Sequence, residues 1–184
     1  SIRPLFPKQF RNEVQIVITV LSVDQENPPE ILGVVGASAA LSLSQIPFEG
    51  PIGACRIAHK DGSFIVNPTY DQISESDLSV IVAGTKDAVM MVEAGGDEVS
   101  EETVLDAIRI GQEANEQIID MITELSVLTG QSKMTVDVDA TNDTEDAVVT
   151  AVNSELEGVL EGGLDKAERE GTLKKLLIKV KEKL

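Results

Sequence analysis

Arg3 is the first residue of this sequence whose type and neighbours point to chemistry. It lies between an isoleucine and a proline in the opening segment 1–7, and Lys8 and Arg11 follow closely. Because proline stiffens the backbone, a guanidinium on such a segment can present a fixed fork of donors to a phosphate. Arg3 is therefore the candidate phosphate-binding residue, and Lys8 and Arg11 are weaker supporters.

The other reactive side chains are better explained by structure than by catalysis. His59, the only histidine, lies at the end of a predicted hairpin without a serine, cysteine or acid in a recognisable arrangement. Cys55, the only cysteine, lies in an apolar predicted strand, where a buried and unreactive thiol is expected. Segment 33–38 resembles a phosphate loop but lacks its glycine spacing and lies within a predicted helix. We expect no catalytic residue and no metal site.

Charged residues cluster on predicted helix faces and in one linker-like stretch. Asp137 and Asp139 belong to that stretch, and residues 101–106 lie on a helix, so these carboxylates are expected to be solvated rather than to bind Mg²⁺. Five lysines oppose apolar residues between positions 173 and 184. This segment could contact RNA or a membrane surface, but a surface helix that ends with favoured cations explains it at least as well.

Length, composition and charge exclude several classes of protein. The chain has 184 residues, of which 42% are hydrophobic, with one cysteine and a formal net charge of −17. No apolar run approaches the roughly 18–20 residues of a membrane span, and the first residues do not resemble a signal peptide. We expect a cytoplasmic protein without a membrane partner, rather than a secreted, membrane or fibrous one.

The net charge is unevenly distributed along the chain. Residues 1–60 are neutral, residues 61–130 carry a net charge of −13, and residues 131–184 carry −4. The total argues against a surface that binds nucleic acid over its whole extent. Only the first third of the chain does not repel an anion, so any RNA contact should be focal and should lie there.

The pattern of apolar residues predicts an α+β fold in which helices cover a mixed sheet. The run at 14–23 predicts a strand covered on both faces, and Asp61-Gly62 predicts a hairpin turn. Ser100 is the expected N-cap of a long amphipathic helix. The predicted elements are strands at 14–23, 52–59, 64–67, 78–84 and 88–93, and helices at 29–43, 100–130, 144–160 and 164–184.

The character of the sequence changes convincingly only once, near residue 131. Residues 1–130 form one predicted domain, residues 131–143 form a polar, acidic linker, and residues 144–184 contain two helices separated by a pair of glycines. We therefore expect an α+β domain that is followed by a small all-α domain.

Several blocks of this sequence, in order, resemble bacterial polynucleotide phosphorylase. The match covers residues 1–130, and residues 144–184 are similar, more loosely, to the start of that family's all-helical domain. The resemblance implies that residues 1–130 are the second half of the first ribonuclease PH-like core, a fold of the ribosomal protein S5 domain 2-like type. The matching blocks are Ser1–Pro7, Phe10–Gln15, Gly36–Ser42, Ile46–Gly53, Val66–Tyr70 and Val82–Gly95.

The resemblance implies a fragment of an enzyme that degrades RNA from its 3′ end. In that family phosphate is the nucleophile and co-substrate, nucleoside diphosphates are released, and the reaction serves mRNA degradation. The family also requires Mg²⁺ or Mn²⁺, assembles as a homotrimer, and in some members binds other proteins of RNA degradation. The ion would not be bound by this fragment, which alone is expected to be inactive.

The resemblance also implies that the catalytic site has been lost from this copy of the fold. In the family's second core, a serine-rich loop before the first helix binds phosphate, and aspartates after the following hairpin hold the metal. The matching loop here is Asn27–Glu30, where two prolines offer neither hydroxyls nor amide donors. Pro68 stands about where the first aspartate belongs, and Asp71 does not keep the family spacing. This half would be a non-catalytic core.

Arg3 matches an arginine of the family's Ile-Arg-Pro motif, which implicates it, with Lys8 and Arg11, in contact with RNA or phosphate. Two hypotheses follow. The first is a portion of a phosphorolytic 3′-to-5′ exoribonuclease that serves as trimer scaffold and RNA path. The alternative is a stand-alone, non-catalytic RNA-binding or assembly module.

Overall fold

A computed structural model describes residues 1–136 and 143–183 of the chain. The chain divides into two compact units, residues 1–136 and residues 137–184. The first unit combines a sheet with helices, and the described part of the second consists of two helices. The elements are strands β1 (Gly53–Lys60), β2 (Ser63–Val66), β3 (Leu78–Gly84) and β4 (Val89–Gly96), and helices α1 (Glu30–Leu43), α2 (Tyr70–Ser74), α3 (Glu101–Thr129), α4 (Asp143–Glu161) and α5 (Lys166–Lys183).

The four strands form one sheet in the order β2-β1-β3-β4, and every neighbouring pair is antiparallel. The predicted Asp61-Gly62 turn joins β1 to β2. Both of its residues have positive φ, 50° and 76°, as a two-residue turn of type I′ requires. Both predicted hairpins are therefore confirmed, with strand ends that differ by up to three residues.

The central strands β1 and β3 are buried on both faces. On one face, Cys55, Ile57, Val80 and Val82 pack against α3 around Ala107. On the opposite face, the small side chains Ala54 and Ala83 pack against α1 around Ile31. Because side chains alternate across a strand, this pattern needs apolar residues at consecutive positions, as the sequence provides.

Helix α3 has the start and the end that the sequence predicts. The Ser100 hydroxyl accepts a hydrogen bond from the Thr103 amide at 3.2 Å, and Glu101 and Glu102 occupy the first turn. The helix ends at Thr129, and Gly130 donates its amide to the Ser126 carbonyl at 2.8 Å. The N-cap and the two acids satisfy free amides and complement the helix dipole.

Lys133 fixes the segment after α3 to the C-terminal end of α1. Its ammonium donates to the carbonyls of Leu41, Ser42 and Ser44 at 2.7, 3.0 and 2.8 Å. A cation is favoured there because the last carbonyls of a helix have no intrahelical partners. Partial burial lowers the pKa of this amine.

The strand predicted at 14–23 is not formed, and this prediction was wrong. The segment has no regular secondary structure, and most of its apolar side chains are exposed, Leu21 by 93%. A strand needs a hydrogen-bonded neighbour, and none of the strands within the described ranges pairs with this segment. The sheet is consequently antiparallel rather than mixed.

The short helix α2 is a feature that the sequence prediction missed. It follows β2 directly and begins with a reciprocal capping box: Thr69 Oγ1 accepts from the Gln72 amide, and Gln72 Oε1 accepts from the Thr69 amide. Thr-x-x-Gln is the usual sequence signature of this motif. The signal was present, but the helix is too short for apolar periodicity to reveal.

The second unit contains α4 and α5, and the bounds of both helices are close to those that the sequence predicts. Helix α5 begins at Lys166 rather than at residue 164, because Asp165 caps it: Asp165 Oδ1 accepts from the Glu168 amide at 2.9 Å. Asp137 and Asp139 lie outside the described residues. No helix in the described ranges is both long and apolar enough to cross a membrane.

The contact between α3 and β3 yields a matched pair of stability predictions. A methyl group on Gly111 would lie 2.7 Å from Val82 Cγ2, whereas a methyl group on Gly36 would meet nothing within 4 Å. Both glycines are helical, so alanine brings each a similar gain in helix propensity. Chemical denaturation should show Gly111→Ala to be less stable than Gly36→Ala by about 1–3 kcal/mol. Equal stabilities would contradict this close contact.

Candidate nucleic-acid interface

Arg3 is the first residue of a 3₁₀ turn, Arg3–Leu5. Leu5, the last residue of this turn, anchors the turn to the rest of the fold. Leu5 is buried against Phe48 and Ile52, and its carbonyl accepts the Glu49 amide at 2.8 Å. Pro4 lies within the turn and restricts its backbone. The Arg3 side chain is exposed, so a fixed backbone carries a guanidinium that is accessible to solvent.

A groove of about 400 Å³ lies beside Arg3, lined by Ile2, Arg3, Phe6, Phe10 and Asn12 together with aliphatic side chains at 14 and 16. Lys8 and Arg11 are exposed on the same segment but do not line the groove. None of the ion pairs found within residues 1–136 and 143–183 involves these three cations. The structure thus brings Arg3 together with Phe6 and Phe10 at one groove. Lys8 and Arg11 lie on the same segment but outside the groove lining.

A second, smaller cavity lies between the two segments that the resemblance matches to the family's phosphate-binding and metal-binding segments. The loop before α1 and the loop after β2 meet there, and the Tyr70 amide donates to the Glu26 carbonyl at 3.0 Å. The cavity measures about 170 Å³. Asn27, Pro28 and the start of α1 line one side, and Arg56, Asn67 and Pro68 line the other.

The charged group of this cavity, Arg56, is already engaged. Its guanidinium donates to Glu30 Oε1 at 2.9 Å and to the Ser79 hydroxyl at 3.0 Å, and its buried Nε has no partner. The Arg56 amide donates to Asn67 Oδ1 at 3.1 Å. A phosphate would therefore meet a guanidinium two of whose five N–H donors are already engaged, beside prolines and aliphatic side chains. It would also meet the Glu30 carboxylate.

The residues at this cavity do not fit a divalent ion either. Mg²⁺ prefers several carboxylate or carbonyl oxygens, but Glu30 is paired with Arg56, and Asp71 is exposed in the first turn of α2. Among residues 1–136 and 143–183, no group of three or more His, Cys, Asp or Glu side chains could hold a metal.

His59 has an acidic partner that the sequence interpretation missed. Its Nδ1 lies 2.6 Å from Asp77 Oδ1, and its ring packs on Phe64 at a centroid distance of 4.8 Å. The partner is 18 positions away and is brought close because His59 pairs with Leu78 across β1 and β3. The Asp77 amide also donates to the His59 carbonyl. The arrangement ties the corner before β3 to the sheet, which supports the structural interpretation of His59.

Cys55 is buried in the core between β1 and α3. Its thiol donates to the Gly111 carbonyl at 3.3 Å, and desolvation raises its pKa to about 11. A thiolate is the reactive form of cysteine, so a raised pKa together with burial makes this group a poor nucleophile. The expectation that this thiol is buried is confirmed, and its raised pKa supports the expectation that it is unreactive.

Comparison with known proteins shows which domain family the central part of this fold matches. Residues 50–114, which contain β1 to β4 and the first half of α3, match the family model of the 3′ exoribonuclease family, domain 2. The rice (Oryza sativa) protein Rrp46 has a solved structure with a TM-score of 0.49 and 18% identity, over 56% of this chain and 49% of that chain.

Three bacterial proteins that are similar to this chain are each named polyribonucleotide nucleotidyltransferase. The Heliobacterium modesticaldum protein is 46% identical over all of this chain, which covers 26% of that protein. The Persephonella marina protein is 44% identical over 95% of this chain and 25% of its own length. The Maricaulis maris protein is 55% identical over 68% of this chain and 18% of its own length.

The resemblance stated from the sequence is therefore confirmed. The chain is homologous to one segment of the polyribonucleotide nucleotidyltransferases, and its α+β part has a ribonuclease PH-like fold. The chain spans about a quarter of the length of the first two of these relatives.

The burial of Cys55 makes its reactivity testable. Iodoacetamide at about pH 8 should leave native Cys55 unmodified and should alkylate it fully after unfolding, because little thiolate exists so far below a pKa of about 11. Ser132→Cys adds an exposed thiol as a positive control. Rapid alkylation of native Cys55 would contradict its burial.

The same pKa gives a direction for stability against pH. The folded state retains the thiol proton at pH values where the unfolded state loses it, so this contribution to stability decreases as the pH rises above about 9. Cys55→Ala removes that dependence, and comparing denaturation midpoints between pH 8 and pH 10 measures it.

Proposed function

We propose that this chain is part of a phosphorolytic 3′-to-5′ exoribonuclease, a polyribonucleotide nucleotidyltransferase that acts in mRNA degradation. It serves as a non-catalytic core that scaffolds the enzyme and guides RNA. The observation that carries the proposal is the 46% identity over the whole chain to a protein of that name. In this proposal the parent protein is a cytoplasmic homotrimer, requires Mg²⁺ or Mn²⁺, uses phosphate as co-substrate and associates with other RNA-degrading proteins.

The state of the cavity at α1 supports a non-catalytic role. Phosphorolysis needs a bound phosphate that can attack the RNA backbone, and that requires several free donors in a fixed arrangement. Arg56 is instead held by Glu30 and Ser79, and Pro28 and Pro68 bring no side-chain donors. The catalytic residues of the parent protein would then lie outside this segment.

The distribution of charge supports a focal RNA contact. The acids of residues 61–130 give that region a net charge of −13, which repels the phosphate backbone. Arg3, Lys8 and Arg11 are exposed, and all three lie in the first 11 residues. RNA guided by this segment would therefore pass close to its beginning.

The proposal predicts where activity resides. Full-length enzyme incubated with poly(A), phosphate and Mg²⁺ should release ADP, whereas the 184-residue chain alone should release none. In the full-length enzyme, Asp71→Asn should leave the rate within about twofold, because this exposed carboxylate is not expected to hold the metal. Phosphate-dependent ADP release by the 184 residues, or a hundredfold loss on Asp71→Asn, would overturn the non-catalytic role.

The proposal also predicts the salt dependence of RNA binding. Arg3→Gln in the full-length enzyme should weaken binding of single-stranded RNA and reduce the slope of log K against log salt by about 1, as expected when one phosphate contact is lost. Arg109→Gln is the matched control, because Arg109 is exposed but pairs with Glu113 and Asp106 on α3. Equal slopes for the two variants would assign Arg3 a structural role.

A further inference from the structure

The few aromatic residues of this chain are concentrated beside Arg3. The sequence has four phenylalanines, and three of them form one cluster. The rings of Phe6 and Phe10 are nearly parallel, at 15°, with centroids 6.3 Å apart, and Phe6 also contacts Phe48 at 5.7 Å. Phe6 and Phe10 both line the groove that contains Arg3. An aromatic surface therefore adjoins an exposed guanidinium.

The two ends of this aromatic cluster differ in role. Phe48 is buried in the core with Leu5, and Phe6 packs against that core. Phe10 is only partly buried, and the sole aromatic ring that it contacts within the described ranges is Phe6. Phe10 is thus the ring at the edge of the cluster, supported from behind by Phe6.

The lining of the groove is suited to an anionic ligand. The residues that line it, all within the described first unit, include no acidic side chain. Residues 1–12 contain three cationic side chains and no acid, in a chain whose net charge is −17. Asn12 adds an amide that can both donate and accept hydrogen bonds at the same groove.

We propose that this groove binds one unpaired nucleotide of single-stranded RNA, with its base stacked on Phe10 and its phosphate on Arg3. The inference rests on the proposed function and deepens it by naming a second mode of contact. Aromatic rings and arginines combine in this way where proteins hold single strands without sequence preference, since every base has a π-face. Such tolerance suits an enzyme that must guide RNA of any sequence.

The test uses full-length enzyme and a single-stranded RNA that carries 2-aminopurine, whose fluorescence is quenched when the base stacks. Phe10→Leu keeps an apolar side chain of similar size but removes the ring, and Phe10→Trp keeps a ring. Phe64→Leu is the matched control, because Phe64 packs on His59, and neither residue lines the groove.

The expected result is a Kd at least about fivefold higher for Phe10→Leu, with weaker quenching, while Phe10→Trp and Phe64→Leu stay near wild type. The salt slope should not change on Phe10→Leu, because stacking releases no counterions. Wild-type affinity and quenching for Phe10→Leu would overturn the stacking contact.

These outcomes separate the two proposals. If Phe10→Leu binds RNA normally and the wild-type enzyme still releases ADP from poly(A), only the stacking contact is wrong. If the wild-type enzyme shows no phosphate-dependent release, the proposed function itself is wrong, whatever Phe10 does.

Discussion

The structure depends on two central strands that are covered on both faces. The β1–β3 pair is covered by α3 on one side and by α1 on the other, where Ser79 and Ile81 stay half-buried. This enclosure requires small residues where backbone approaches backbone: a methyl group on Gly53 would lie 2.6 Å from the Asn115 carbonyl oxygen. The close packing also fixes α1 relative to the sheet, and with α1 both of the loops that meet at its N-terminus.

That fixed geometry holds a cavity at the N-terminus of α1 whose charged group is engaged within the fold. The loops before α1 and after β2 still meet and enclose a cavity. The side chains that reach it serve the fold instead: Arg56 joins α1 to β3 through Glu30 and Ser79, and Pro68 is buried. The polar groups at this cavity thus serve largely to stabilise the architecture, which supports the proposed role of this segment in scaffolding and in guiding RNA.

The sequence predicted those structural features that depend on a few neighbouring residues, but not those that depend on contacts between distant segments. The start of α3 at Ser100 and the Asp61-Gly62 turn were predictable, because capping and turn chemistry act over a few residues. The run at 14–23 was not, because apolar β-branched residues favour a strand but do not supply its partner. Arg3 was recognised from its neighbours, whereas its groove with Phe10 depends on how the chain folds back, which spacing alone does not reveal.

In the proposed function, RNA touches this segment only near its beginning, while the acidic remainder is scaffold. Ultraviolet crosslinking of full-length enzyme to uniformly labelled single-stranded RNA, followed by mass spectrometry of the crosslinked peptides, tests that claim directly. Within these 184 residues, crosslinks should fall in peptides from residues 1–16, where the cations and the aromatic groove lie. Crosslinks confined to residues 61–130, with none in residues 1–16, would contradict it.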